Sequence, residues 1–301
     1  MRFMKDSSRR TSPFALARIC LVVGLLGCEA LQAAETDVSG NAFFDSNVSN
    51  GAGGGAVRAA QGANAQLAVS DDLDLSKLVN ATWNAYAETT VYNRYQGLNE
   101  VTLGGGAQFS HKFGLGRDVP VAIVDLDISH RSYSDSARDG WILRAAIGLA
   151  QRVEDALRLS GSVGVERRTQ DNSPQYDEDL PGDVYASTAQ FARLGVSLDL
   201  PAASQIALFV EQRRGDEAVT YFGDSEDYDE QARAIAPNPV FGPNAFVERI
   251  PVLTRGFSAT YTYFAAPGWT VNASLRHDSS AETGGLRYIR NQAFVGASYA
   301  F

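Results

Sequence analysis

The stretch that decides the fold is "NQAFVGASYAF", residues 291–301. Ala293, Val295, Ala297, Tyr299 and Phe301 share one parity and are apolar or aromatic; Gln292 and Ser298, with Arg290 just before, take the other. Successive side chains of a β-strand point to opposite faces, so the stretch predicts a strand with one apolar and one polar side. Rings that close an apolar face suit a boundary between lipid and water.

The same alternation runs back through the chain. In "ALRLSGSVGVERR" (156–168) Leu157, Leu159, Val163 and Val165 oppose Arg158, Ser160, Ser162, Glu166 and Arg168. In "WILRAAIGLA" (141–150) Trp141, Leu143, Ala145, Ile147 and Leu149 oppose Ile142, Arg144, Ala146 and Gly148; "AIVDLDISHR" (122–131) repeats the pattern. A soluble sandwich, apolar faces inward, would also alternate. Three features favour a transmembrane antiparallel up-and-down barrel. The expected strands run to roughly 10–16 residues, longer than the 5–6 usual in soluble sheets and long enough for a tilted membrane strand. Connections alternate between short (near 71–77, 114–118, 152–155, 200–204 and 265–268) and long and polar (near 48–60, 93–97, 132–139, 169–183, 215–246 and 279–285), as in barrels with short periplasmic turns and longer outer loops. The strands that fit between them begin near 37, 61, 78, 98, 119, 140, 156, 184, 205, 247, 269 and 286. That gives an all-β barrel of about twelve strands, with ten or fourteen as the neighbouring even counts, and both termini in the periplasm. Phe113, Tyr261, Tyr263, Trp269, Tyr299 and Phe301 are expected as a periplasmic girdle facing lipid, with Trp141 at the outer end. The last strand is expected to close the sheet against residues 37–47.

The start of the chain fits export. Arg2, Lys5, Arg9, Arg10 and Arg18 precede the apolar run "ICLVVGLLG" (19–27), which is too short to span a bilayer and reads as a signal peptide of residues 1–34, cleaved near Ala33–Ala34. "LLGC" also fits a lipoprotein signal that would leave Cys28 lipidated. Cys20 and Cys28 are the only cysteines, so cleavage after Ala34 leaves a chain without a disulfide scaffold or a cysteine zinc site. It also removes five basic and two acidic residues, moving the formal charge from -9 to -12. An acidic chain argues against nucleic acid as a partner. No linker or composition break divides residues 35–301, which read as one domain.

On these residues the chain resembles Gram-negative outer-membrane β-barrel proteins of the porin-like kind. Phe301, Tyr299 and the alternating Ala297, Val295 and Ala293 are similar to their C-terminal assembly signature. The resemblance implies the barrel-assembly machinery as a transient partner, an outer-membrane location, and contact with outer-membrane lipid and lipopolysaccharide. "FFDSNVS" (43–49) is similar to the opening strand of some porin-like barrels and of the barrel part of surface lipoprotein assembly modifiers. The helical-repeat domain that precedes the barrel in those modifiers has no counterpart in this sequence.

The polar parity carries the candidate function. Lys112, Asp125, Asp127, Arg131, Arg144, Arg158, Glu166, Arg168, Arg193, Glu211, Arg213, Arg276 and Arg290 are expected to line the lumen, since rings of charge set which solutes pass. The reading is a passive channel for small hydrophilic solutes, with the arginines steering anions. The alternative is a structural or adhesive barrel plugged by charges paired across the lumen, presenting acidic loops. "DNSPQYDEDLPGD" (171–183) holds five carboxylates, and "GDEAVTYFGDSEDYDEQARA" (215–234) seven against Arg233. Asp224, Glu226, Asp227 and Asp229 are oxygen ligands of the type Ca²⁺ takes but lack EF-hand spacing. No cofactor or metal is expected. "APNPVFGPN" (236–244) fits a stiff outer loop folded inward as a constriction.

An enzymatic alternative rests on His277 and Ser279, i and i+2 on the lipid-facing side. They resemble the His-x-Ser element of outer-membrane phospholipases and lipid A deacylases, in which a base activates the serine. Ser280 stands where those enzymes commonly have Asn, and Glu282 is the only candidate to orient the histidine. His111 and His130 also fall on the outward parity, leaving no histidine for the lumen.

Overall fold

The computed structural model describes residues 34–52, 55–173, 180–223, 231–282 and 285–301. The expected signal peptide up to residue 33, with Cys20 and Cys28, and the carboxylates Asp224, Glu226, Asp227 and Asp229 lie outside them.

The chain forms β1 (Glu35–Asp45), β2 (Ala60–Asp74), β3 (Val79–Tyr92), β4 (Glu100–Lys112), β5 (Val121–Tyr133), β6 (Gly140–Arg152), β7 (Leu157–Arg168), β8 (Ser187–Leu200), β9 (Ser204–Phe222), β10 (Ala234–Pro237), β11 (Ala245–Ala266), β12 (Trp269–Glu282) and β13 (Arg287–Ala300). Twelve of these close into a ring: consecutive strands pair antiparallel, β9 pairs with β11, and β13 pairs with β1 with Ala293 opposite Phe44 and Tyr299 opposite Val38. All twelve begin within three residues of their expected starts. Closure leaves no barrel strand with an open edge, the condition for a sheet to stand in lipid.

The two faces decide between membrane barrel and sandwich. Ile147, Leu275 and Val295 are 60%, 63% and 61% exposed, as are the apolar residues on their parity in neighbouring strands. A sandwich would bury these positions; here they form an apolar outer surface, and most charges of the strands take the opposite parity.

The register fixes the tilt. One row of paired residues starts at Trp269 and runs through Tyr299, Val38, Leu67, Ala87, Leu103 and His130 to Trp141. It begins beside the short turns and ends beside the long loops, crossing the whole apolar band. Each step to the next strand thus climbs toward the outer end. A belt about 25 Å tall between aromatic girdles matches this geometry. At the inner girdle Tyr299 packs on Trp269 and Phe301, with ring centroids 4.9 and 4.7 Å apart. At the outer one Trp141 meets His130 at 5.0 Å.

The expectation of a long loop over 215–246 needs correction. β9 continues to Phe222 and β11 starts at Ala245, paired residue for residue up to Phe222 opposite Ala245. Pairing with a strand this long outlasts β8 and β12, and the acidic composition of 215–217 does not interrupt it. Beyond the end of β12 the free edge of β11 is taken by β10, with Ala236 opposite Val247.

Candidate functional site

The thirteen expected lumenal residues take the parity opposite to the exposed apolar one of their strands. Lys112 and Arg158 sit exposed at the rim beside the short turns, where Arg158 stands opposite Arg152. Eight of the others form pairs that run along the wall. Arg290 Nε donates to Asp45 Oδ2 at 2.8 Å, and Gln292 joins the same oxygen at 2.9 Å. Arg276 bridges Asp278 at 2.7 Å and Glu211 at 3.1 Å. Arg213 bridges Glu217 at 2.8 Å and Glu166 at 3.3 Å. Arg131 is 3.9 Å from Glu100; Asp125 accepts from Gln108 at 2.7 Å and Asp127 from the Tyr86 hydroxyl at 3.3 Å. Every one of these joins strands at most two apart in the ring of twelve.

Among the expected lumenal residues away from the rim, Arg144, Arg168 and Arg193 close no ion pair with a described carboxylate, although Asp127 and Glu166 flank Arg144 and Glu211 faces Arg193 in the register. Arg144 lies over the Phe191 ring at 4.3 Å and Arg193 over Phe209 at 3.9 Å. Arg168 donates to the Arg138 carbonyl at 2.7 Å and faces the Tyr133 and Tyr185 rings. A guanidinium over an aromatic face is held in place without being neutralised.

Sequence reading missed several members of this wall. Phe191 and Phe209 share parity with Arg193 and Glu211, so alternation contained the signal, but aromatics were assigned to girdles. Glu217, counted with an exposed acidic loop, points into the lumen and accepts from Arg213, the Thr254 hydroxyl and the Tyr288 hydroxyl. Asp45 is almost wholly buried.

The outer mouth is roofed. Residues 238–241 leave β10 and cross toward the β3–β4 connection, half a ring away from the β9–β11 pair. The Phe241 ring meets Tyr95 at 4.9 Å and packs on Leu98 and Ala245. A Cβ added at Gly97 would sit 2.5 Å from Val240 Cγ2, so that glycine lets the roof seat closely. Asn238, fully buried, accepts from Arg138 Nη2 and donates to Thr220 Oγ1, both at 2.9 Å. The β1–β2 connection folds over from another side, where Thr220 N donates to Ser49 O at 3.0 Å. Val184 and Tyr185 pack against Ala234, Ala236 and Val247. Burial pushes the Tyr185 hydroxyl up, keeping it neutral beside Arg138.

Under the roof lies a cavity of 350 Å³ lined by Arg131, Arg138, Arg168, Arg213, Arg276 and Arg290 against Glu166, Asp216, Glu217 and Asp278. Its size suits a small ligand.

The expected His277–Ser279 constellation is not assembled as proposed. His277 Nδ1 is bonded to Asn291 Oδ1 at 2.7 Å. Glu282 occupies the opposite parity, buried on the inward face, so it cannot orient an outward histidine.

Comparison with solved structures shows the fold. An outer-membrane channel from Pseudomonas putida F1 matches over 89% of this chain and 96% of its own, with 10% identity and a TM-score of 0.56. The NanC porin matches over 88% and 98%, with 12% identity and a TM-score of 0.47. The translocator domain of the autotransporter NalP from Neisseria meningitidis covers 96% and 95%, with 13% identity and a TM-score of 0.44. No protein-family model and no curated protein matches the sequence.

Proposed function

We propose that the protein is a passive outer-membrane channel for small hydrophilic solutes, preferring anions, with its outer mouth controlled by the 238–241 roof. The observation that carries this is the direction of the charge pairs. They run along the wall between near neighbours, and Arg144 and Arg193, in register with Asp127, Glu166 and Glu211, close no ion pair with them and keep their guanidiniums over Phe191 and Phe209. A barrel plugged by its own charges would pair them across the ring instead. The lipid-facing apolar band and its two girdles support the membrane location.

The test is conductance of purified protein in planar bilayers under a salt gradient. Discrete openings with an anion-directed reversal potential are expected. Verified insertion with no openings at any voltage, even after the roof is released, would sink the channel reading. It would favour the second one, a sealed structural barrel, to which the packed roof lends its own support.

A further inference from the structure

Four exposed arginines of the barrel strands share the outward parity; Arg287 of β13 lies in Arg214's row through Leu253 and Ala281, so the climb of that row carries it above the other three. Those three, Arg167 of β7, Arg214 of β9 and Arg255 of β11, share the outward parity with Val165, Val210 and Phe257. None makes an ion pair among the described residues, and Asp216, two positions from Arg214, is held by Arg233 at 2.8 Å. A charge facing lipid is costly at mid-bilayer and nearly free at the boundary, so their height matters.

Arg167 is in register with Leu143, one pleat below Trp141. Gln190 faces Arg214, and Gln212 faces Arg255, so the arginines step down as rows are followed from β7 to β11. The rows themselves climb in that direction, by the same tilt that joins Trp269 to Trp141. Step and climb offset, and the three stand level with the outer girdle. Across the barrel the outward positions near that height are Phe44, Gln61, Val91 and Val101, none of them basic.

Directly beneath the arginines the apolar wall is hollowed. Ala145 and Ala192 stand among Ile147, Val163, Leu194 and Val210, giving two grooves whose upper rims carry Arg214 in one case and Gln212 with Arg255 in the other. A row of phosphate-binding groups above acyl-sized grooves is the complement of one kind of molecule.

We infer that this β7–β11 arc binds a phosphorylated, multiply acylated glycolipid of the outer leaflet. Its phosphates lie on Arg167, Arg214 and Arg255, with Gln190 and Gln212 completing the hydrogen bonds, and its chains lie in the grooves below. Arginine's planar fork suits phosphate oxygens. The inference depends on the barrel standing in an outer membrane and not on what the lumen conducts.

The full barrel, refolded in detergent free of lipid, is titrated with bisphosphorylated lipid A, with the same lipid after its phosphates are removed, with phosphatidylglycerol vesicles and with inorganic phosphate. Bound lipid is read by native mass spectrometry. The bisphosphorylated lipid should bind selectively, and Arg167→Gln, Arg214→Gln and Arg255→Gln together should weaken it roughly tenfold or more. Equal binding of the dephosphorylated lipid, of phosphatidylglycerol, or by the triple variant overturns the assignment, as does full competition by inorganic phosphate at matched concentration. A second measurement needs no variant: photoreactive lipid A should label β7–β11 of the unaltered chain. Label on β1–β4, or cross-links joining two copies through the arginine face, overturns it equally. Because conductance reports the lumen alone, failure here leaves the channel reading untouched, and a silent channel leaves this site untouched.

Discussion

The roof gives the sharpest test of how the mouth works. An ideal Cβ at Gly97 lies 3.4 Å from Val240 Cβ, close to the roughly 3.5–4.5 Å separation that a disulfide requires. Val240 Cγ2, which would crowd that Cβ, disappears in the same double substitution. Gly97→Cys with Val240→Cys should therefore tie the roof to the far side of the mouth, in a mature chain expected to hold no other cysteine. The magnitude follows from Phe241. Burying a Phe ring stabilises by about 1.5–3 kcal/mol, and its edge contact with Tyr95 adds about 0.5–1.5 kcal/mol. Docking held by about 2–4.5 kcal/mol, at about 1.4 kcal/mol per decade, leaves the roof undocked between roughly one part in 30 and one in 2,000. Rare openings are thus expected from the unaltered chain. Phe241→Ala should raise open probability by a similar factor, and the oxidised double-cysteine variant should abolish opening until a reductant is added. The assay is single-channel recording with and without reductant, with bond formation followed by mobility on a non-reducing gel. A bond that forms while openings persist unchanged would refute the placement of the roof in the conduction path. Failure of the bond to form in folded barrels would refute its seating on Gly97.

Other expectations concern the wall and the closing strand. Arg144→Glu with Arg193→Glu places carboxylates where two arginines stand over Phe191 and Phe209, and should move the reversal potential toward cations; an unchanged potential would take both out of the path. Asp45→Ala removes a carboxylate only 2% exposed and strands the Arg290 guanidinium, whose side chain is 30% exposed. It should cost about 3 kcal/mol, at the low end for breaking a buried pair because the lumen is wet. The loss should appear as a lower midpoint for conversion of the heat-modifiable band, with Asp45→Asn between the two; equal midpoints would deny the pair a structural role. Phe301→Ala with Tyr299→Ala should lower the fraction of chains assembled in the outer membrane, measured as heat-modifiable over total protein, and no change would separate these rings from assembly.

Strand starts were legible because alternation is a local property, imposed residue by residue wherever one face meets lipid and the other water. That is why Val295 and Arg290 fell correctly from parity alone. The inward aromatics were equally legible in principle, since Phe191 sits two residues from Arg193. A rule about girdles overrode the parity there. Glu217 was hidden for another reason: "GDEAVTYF" (215–222) is acidic at its start, and only its partner 245–252 makes it a strand. The destination of Phe241 is further from view. Proline and glycine around it signal a stiff excursion, but no local pattern names Leu98 and Tyr95, which are separated from it in sequence and by half the ring.

The extended β9–β11 pair links these observations. Past the ends of β8 and β12 its strands run on without neighbours, and an unpaired edge of β11 there would be open to other chains. β10 covers that edge, and having paired with it the chain is already turned toward the barrel axis, which carries Asn238 and Phe241 over the mouth. The same residues that finish the sheet therefore build the roof. On the proposed reading, opening releases Phe241 from Tyr95 and Leu98, Val240 from Gly97, and Asn238 from Arg138 and Thr220, contacts that are not strand pairs of the barrel ring. The wall can keep every strand pair while the mouth changes state. Conductance should accordingly respond to Phe241→Ala with no shift in the heat-modifiability midpoint, whereas Asp45→Ala should shift the midpoint. A variant of Phe241 that destabilised the barrel as much as it opened the mouth would show that the roof and the ring are a single cooperative unit.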